Sequence, residues 1–207
     1  MLEIRTIPVG VGQANCYILS NGKEALIVDP GADENIIQAT IEEMDITPVA
    51  ILLTHTHYDH IGALNRIYEV YQVPIYVHPN EADWLQDPSK NLSSLQGNPI
   101  AAREADHFFQ PEETIDIVDF TFTVRFTPGH SPGGVSFIFE EDELVITGDA
   151  LFAGSIGRTD LPGSEPEALM SSIREQLFTL PDYYTIYPGH GGQSTLGREK
   201  QTNPFFS

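Results

Sequence analysis

The stretch Thr54-His55-Thr56-His57-Tyr58-Asp59-His60 constrains this chain more than any other. It sets three imidazoles and a carboxylate close together, directly after the apolar run Val49 to Leu53. Imidazole nitrogen and carboxylate oxygen are the donor set for zinc, manganese or iron, and burying such a cluster without a cation is costly. A metal site is the economical reading. In an extended segment, residues two apart point the same way, so His55 and His57 can meet one ion from the same face. Ile61, Leu64, Ile67, Tyr68 and Tyr71 then recur at helical spacing, which puts Asp59 and His60 at the turn into a helix and aims them differently. The stretch is expected to feed two neighbouring ions.

A chain of 207 residues can bury a substantial core, and no linker interrupts it, so a single domain over residues 1–207 is expected. Hydrophobic residues make up 41% and charged residues 19%, a globular balance, and no apolar run approaches the length of a membrane span. The formal charge of -20 repels nucleic acid and anionic membranes, so neither is expected as a partner. The N-terminal residues lack a basic lead followed by an apolar core, and Cys16 is the only cysteine. Both features fit a reducing compartment, and the cytoplasm is the expected location.

In chain order, Glu3 to Val9, Asn15 to Leu19 and Ala25 to Val28 read as strands, with a hairpin turn at Asn21-Gly22. A helix is expected from about 33 to 44, with Ile36, Ile37, Thr40, Ile41 and Met44 on its apolar stripe, followed by a buried strand from Val49 to Leu53. Ile75 to Val77 is strand-like, Pro79 to Leu85 a short helix, and residues 87–99 a polar loop that could serve as a lid. Strands return over Thr114 to Thr127, broken near Asp119, and over the pair Val135 to Phe139 and Leu144 to Ile146. Glu165 to Leu180 reads as one amphipathic helix and Tyr184 to Tyr187 as a strand. Asn203-Pro204 stops any helix in the tail, where Phe205 and Phe206 are expected to pack back. Two strand-and-helix halves point to an α+β fold with sheets face to face and helices outside.

Three further segments share one format, an apolar strand and then a candidate ligand beside glycine. They end in Gly129-His130, Gly148-Asp149 and Gly189-His190. Glycine permits sharp turns and close backbone approach, so these read as strand ends converging on one rim. The donors then suffice for His55, His57 and His130 on one ion and Asp59, His60 and His190 on a second, with Asp149 bridging. Two divalent cations sharing a carboxylate lower the pKa of bound water and polarise the attacked oxygen, which is hydrolytic chemistry. Zinc is the expected metal, with iron or manganese compatible with the same ligands. His78 and His107 lack a glycine hinge or neighbouring ligand and are given structural or surface roles. Asp29 ends a strand before Pro30-Gly31 and is either an orienting partner for a ligand histidine or an ordinary turn carboxylate.

The chain resembles the metallo-beta-lactamase superfamily through residues 54–60, His130, Asp149 and His190 in order. Leu151 to Asp160 (LFAGSIGRTD), Ile186 to His190 (IYPGH) and Gly197 to Phe205 (GREKQTNPF) resemble the short glyoxalase II-like hydrolases. The resemblance implies a four-layer αββα sandwich and a two-metal thioesterase acting on hydroxyacyl thioesters of a small thiol, such as S-lactoylglutathione. It also implies a substrate-carboxylate role for Arg158, whose alternative is an internal salt bridge with Asp160. Only 17 residues follow His190, so the helical glutathione-binding domain of typical glyoxalase II enzymes is not expected. Asp160 and Gly192 also stand where that family often has tyrosine, which leaves the thiol open.

Other branches separate by residue. Several zinc beta-lactamases use a cysteine as ligand, and Cys16 lies far upstream of every ligand candidate. Persulfide dioxygenases share the Gly157-Arg158-Thr159-Asp160 pattern but would use one iron on His55, His130 and Asp149. A non-catalytic metal-binding module is the third alternative, disfavoured because structural zinc sites are usually closed and cysteine-rich. In thioester hydrolysis the leaving thiol has a pKa of about 8.5 and departs without a strong general acid, which leaves Asp59 to take the proton of the attacking water.

Overall fold

A computed structural model describes residues 1–110 and 112–206. Two compact units emerge, the first formed by Met1–Phe109 with Ile117–Phe120 and the second by the remaining described residues.

The first unit carries a six-stranded sheet in the order β1 (Glu3–Val9), β2 (Ala14–Ser20), β3 (Glu24–Val28), β4 (Thr47–Leu52), β5 (Ile75–Val77), β6 (His107–Phe108). The hairpin between β2 and β3 turns where the sequence marks it: Asn21 Oδ1 accepts the N–H groups of Lys23 and Glu24, and Gly22 supplies a φ of +94°. From β3 onward the strands are parallel, so the carboxyl ends of β3, β4 and β5 lie along one edge of the sheet. That edge is where open α/β sheets place their ligands.

Helix α1 (Glu34–Met44) packs through Ile37 and Ile41, while Ile36 is 53% exposed. The apolar stripe is therefore narrower than its sequence pattern. The turn into a helix falls at α2 (Tyr58–Ile61), followed by α3 (Leu64–Tyr71), whose Leu64 and Ile67 join Ile61 in the core. Pro79–Trp84 is one short 3-10 helix with His78 Nδ1 accepting the Asn80 N–H at its start.

The second unit holds most of β7 (Thr114–Ile117) and β8 (Phe120–Phe126), with β9 (Val135–Phe139), β10 (Leu144–Gly148), the small hairpin β11 (Leu151–Phe152) and β12 (Ser155–Ile156), β13 (Thr185–Pro188) and β14 (Ser194–Thr195). Its main sheet runs β14-β13-β10-β9-β8-β7. β8, β9 and β10 form an antiparallel meander and β13 pairs parallel with β10, so β8, β10 and β13 all end at the same edge.

Glu165 to Leu180 departs from one regular helix. α4 (Pro166–Ser172) gives way to a wider turn over Ile173–Leu177, in which the Phe178 N–H reaches back five residues to Ile173 O. Leu169, Ile173 and Leu177 remain buried through the change. The tail is better ordered than its sequence implies: α5 (Leu196–Thr202) starts on Thr195, whose Oγ1 accepts the Arg198 N–H, and Asn203 ends it. Phe206 stacks edge-on against Phe178 at 4.8 Å. Phe205 does not pack back as expected; it is half exposed. No helix among the described residues is long and apolar enough to cross a membrane.

Candidate metal centre

In the first unit the candidate ligands follow from strand ends. β3 delivers Asp29, β4 delivers the segment 54–60, and β5 delivers the turn holding His78 and Glu81. His55, His57 and His60 are all buried, with ring centroids 4.8 Å apart for the first pair and 4.1 Å for His55 and His60. One donor atom each from Asp29, His55 and His60 fits within 4.8 Å. Asp59 is partly exposed, with Oδ2 3.9 Å from His60 Nε2.

Asp29 is the organiser of this cluster. Its Oδ1 accepts the Thr54 N–H at 2.8 Å, and its Oδ2 accepts the Thr54 hydroxyl at 2.5 Å and lies 3.0 Å from His60 Nδ1. A carboxylate only accepts, so His60 carries its proton on Nδ1 and its lone pair on Nε2. The Thr54 hydroxyl, having donated to Asp29, accepts from His55 Nδ1 at 3.1 Å, which fixes the same tautomer there. Asp29 itself adopts a left-handed backbone (φ 50°), uncommon for a residue other than glycine. Two residues on, only glycine fits: a Cβ on Gly31 would stand 1.6 Å from Asp59 O.

The second unit brings its three expected ligands together. Asp149 Oδ2 is 3.4 Å from His130 Nε2 and 3.5 Å from His190 Nε2. The loops that carry Asp149 and His190 are tied by the Gly189 N–H on Gly148 O at 2.7 Å. His130 Nδ1 lies 2.8 Å from the Arg158 carbonyl, which again fixes the proton on Nδ1 and the lone pair on Nε2. Gly157 permits that approach, since a Cβ there would be 1.8 Å from Asp149 O.

In both units an imidazole lone pair faces a carboxylate oxygen, His60 toward Asp59 and His130 toward Asp149. Two acceptors pointed at one another repel unless a proton or a metal ion lies between, and imidazole with carboxylate is a donor set that suits a divalent ion. Donor chemistry and fixed tautomers thus fit metal binding.

Arg158 is exposed and makes a two-pronged salt bridge to Asp160, at 2.7 and 2.8 Å. The guanidinium holds the Asp160 carboxyl down at about 2. Its side chain is therefore engaged with Asp160, while its carbonyl orients His130. His78 is buried at a helix start, and His107 is exposed and stacked on Tyr76 at 4.6 Å. The sequence reading passes over Glu81, which is fully buried and accepts both the N–H and the hydroxyl of Thr56. No local pattern marks it: Asp29 directly follows its strand and precedes Pro30, whereas Glu81 comes four residues after its strand and follows Pro79.

Residues 9–190 match the family model described as the metallo-beta-lactamase superfamily. The "Probable metallo-hydrolase YqgX" of Bacillus subtilis is 46% identical, covering 100% of this chain and 98% of the relative. "Hydroxyacylglutathione hydrolase GloC" of Haemophilus influenzae is 38% identical, covering 100% and 99%. Among solved structures, the BLEG-1 B3 metallo-beta-lactamase superposes with a TM-score of 0.96 at 42% identity, over 99% of this chain and 100% of that one. TTHA1623 in a di-iron-bound form gives 0.88 at 35%, over 97% and 99%. The chain belongs to the metallo-beta-lactamase superfamily, shares its fold and carries a His and Asp donor set for divalent metal ions.

Proposed function

We propose that this metallo-hydrolase cleaves hydroxyacyl thioesters of a small thiol, with His55, His57, Asp59, His60, His130, Asp149 and His190 holding two divalent ions, zinc foremost. The observation that carries the substrate class is the full-length likeness to a hydroxyacylglutathione hydrolase at 38% identity. When bound, such ions polarise a carbonyl oxygen and lower the pKa of a water near it. The chain's own residues supply orientation and proton acceptance. Asp29 and the Arg158 carbonyl hold the tautomers of His55, His60 and His130. Asp59, partly exposed, takes the proton of the attacking water. The thiolate leaves unaided, and Arg158 receives a carboxylate of the thiol carrier.

The whole chain is read as a single catalytic domain working in the cytoplasm. A second reading, β-lactam hydrolysis, draws support from the 42% identity to a structure named as a B3 metallo-beta-lactamase. Metal analysis of purified protein, with parallel assays on S-lactoylglutathione, a chromogenic cephalosporin and oxygen uptake with glutathione persulfide, separates the readings. Two metals per chain with thioester turnover is the expected result. Cephalosporin turnover alone would move the chain to the lactam reading, and one iron with oxygen uptake would make it a dioxygenase.

A further inference from the structure

We propose that Glu81 is a positioning residue for the metal-binding histidines, acting through Thr56. The inference rests on the metal-centre reading and adds to it a residue from a different strand end.

Thr56 stands between His55 and His57. All three lie in the loop that follows β4, so whatever holds Thr56 constrains the backbone that carries both imidazoles. Glu81 holds it at two points with one oxygen: Oε2 accepts the Thr56 N–H at 2.6 Å and the Thr56 hydroxyl at 2.8 Å. The carboxylate is fully buried and arrives from the short helix after β5. Asp29 grips Thr54 in the same manner, through N–H and hydroxyl, from the end of β3. His55 is thus bracketed by two threonines, each held by a buried carboxylate from a neighbouring strand.

Asp29 fixes imidazole tautomers, and Glu81 takes hold of a backbone N–H and a hydroxyl. That grip holds the backbone between two ligands so that both meet an ion without reorganisation. Binding energy is lost when a site must order itself on binding, and partners beyond the ligands themselves are worth about 10- to 100-fold in metal affinity.

The test is cobalt(II) titration of full-length, metal-stripped protein against a competing chelator, reading affinity and the visible ligand-field spectrum, with thermal unfolding of the metal-free proteins alongside. Glu81→Gln is expected to weaken cobalt about tenfold or more and alter the spectrum. Thr56→Ser, which keeps both donors, should behave as wild type, and Thr56→Val should weaken binding less than Glu81→Gln. In the double variant Glu81→Gln/Thr56→Val the losses should not add, because both act on one contact. A folded Glu81→Gln protein with wild-type affinity and spectrum would overturn the role, as would additive losses. Should Glu81→Gln fail to fold, Thr56→Val decides, and wild-type affinity there overturns the role. Wild-type protein that binds no cobalt would instead overturn the metal centre itself.

Discussion

Asp29 Oδ2 lies 3.0 Å from His60 Nδ1 and accepts the Thr54 hydroxyl that in turn faces His55 Nδ1, so one carboxylate sets the tautomers of two histidines. An asparagine side chain in its place has one acceptor oxygen and an NH2 that cannot accept. Asp29→Asn should therefore leave the fold intact but weaken metal binding by about 10- to 100-fold, measured by chelator competition. Unchanged affinity in the folded variant would remove Asp29 from this role.

Gly31 has no room for a side chain, with a Cβ placed 1.6 Å from Asp59 O, whereas a Cβ at Gly192 meets nothing within 4 Å. Gly31→Ala must push the loop of residues 59–62 aside and is expected to destabilise by about 3 kcal/mol or prevent folding. Gly192→Ala should stay within about 0.5 kcal/mol of wild type. Urea unfolding of both variants checks the contrast.

The legible part of this fold is the part set by local chemistry. The strand-then-glycine format finds His130, Asp149 and His190, because ligands at strand ends need close backbone approach. Asn21-Gly22 marks the hairpin, and the parallel strands of the first sheet read as continuous apolar runs. What stays hidden depends on partners remote in sequence. Glu81 meets Thr56 across 25 residues, and nothing local in either says so. α5 reads as tail because its buried Glu199 resembles any surface acid until Gly154, Ser194 and Asn203 surround it. The wide turn after α4 keeps the four-residue spacing of Leu169, Ile173 and Leu177, so the sequence pattern cannot separate it from a regular helix.

That Glu199 network carries a prediction of its own. The buried carboxylate accepts from the Ser194 hydroxyl, the Gly154 N–H at 2.8 Å and Asn203 Nδ2 at 2.9 Å, and Asn203 also donates to Ser155 O. It joins α5 to the β11–β12 hairpin. Glu199→Ala leaves those donors buried without their acceptor and should cost about 2–4 kcal/mol. Amide hydrogen exchange at Gly154 should accelerate more than exchange in β9, and uniform acceleration would refute a local tie.

His78 gives the chain an acid-sensitive element. Burial pushes its imidazole from 6.5 down to about 4, and only 4% of the residue is exposed. The unfolded chain thus binds a proton between those values while the folded chain does not. Stability from this residue is complete above pH 6.5, falls as pH drops through the window and is gone below 4. The shift corresponds to about 3 kcal/mol at most. His78→Asn keeps an acceptor for the Asn80 N–H and should flatten the slope of stability between pH 6.5 and 4 in metal-free protein. An unchanged slope would assign the acid sensitivity elsewhere.

Arg158 and Asp160 make the last case, because Asp160 occupies the guanidinium fork that a substrate carboxylate would use. Asp160 is ionised down to about pH 2, so this competition is constant over any practical assay range. Solvent-exposed pairs of this kind are weak, so freeing the fork should change binding by no more than about fivefold. For a thioester whose thiol carries a carboxylate, Asp160→Asn should lower KM by up to that factor and Arg158→Gln should raise it, with kcat little changed in either. A thioester of the same acyl group on an uncharged thiol should show neither effect. Added salt should shrink the difference between wild type and Asp160→Asn, since screening weakens the internal pair as well as the substrate contact. Equal KM values across all three proteins would leave Arg158 with the His130-orienting carbonyl as its sole part in the site.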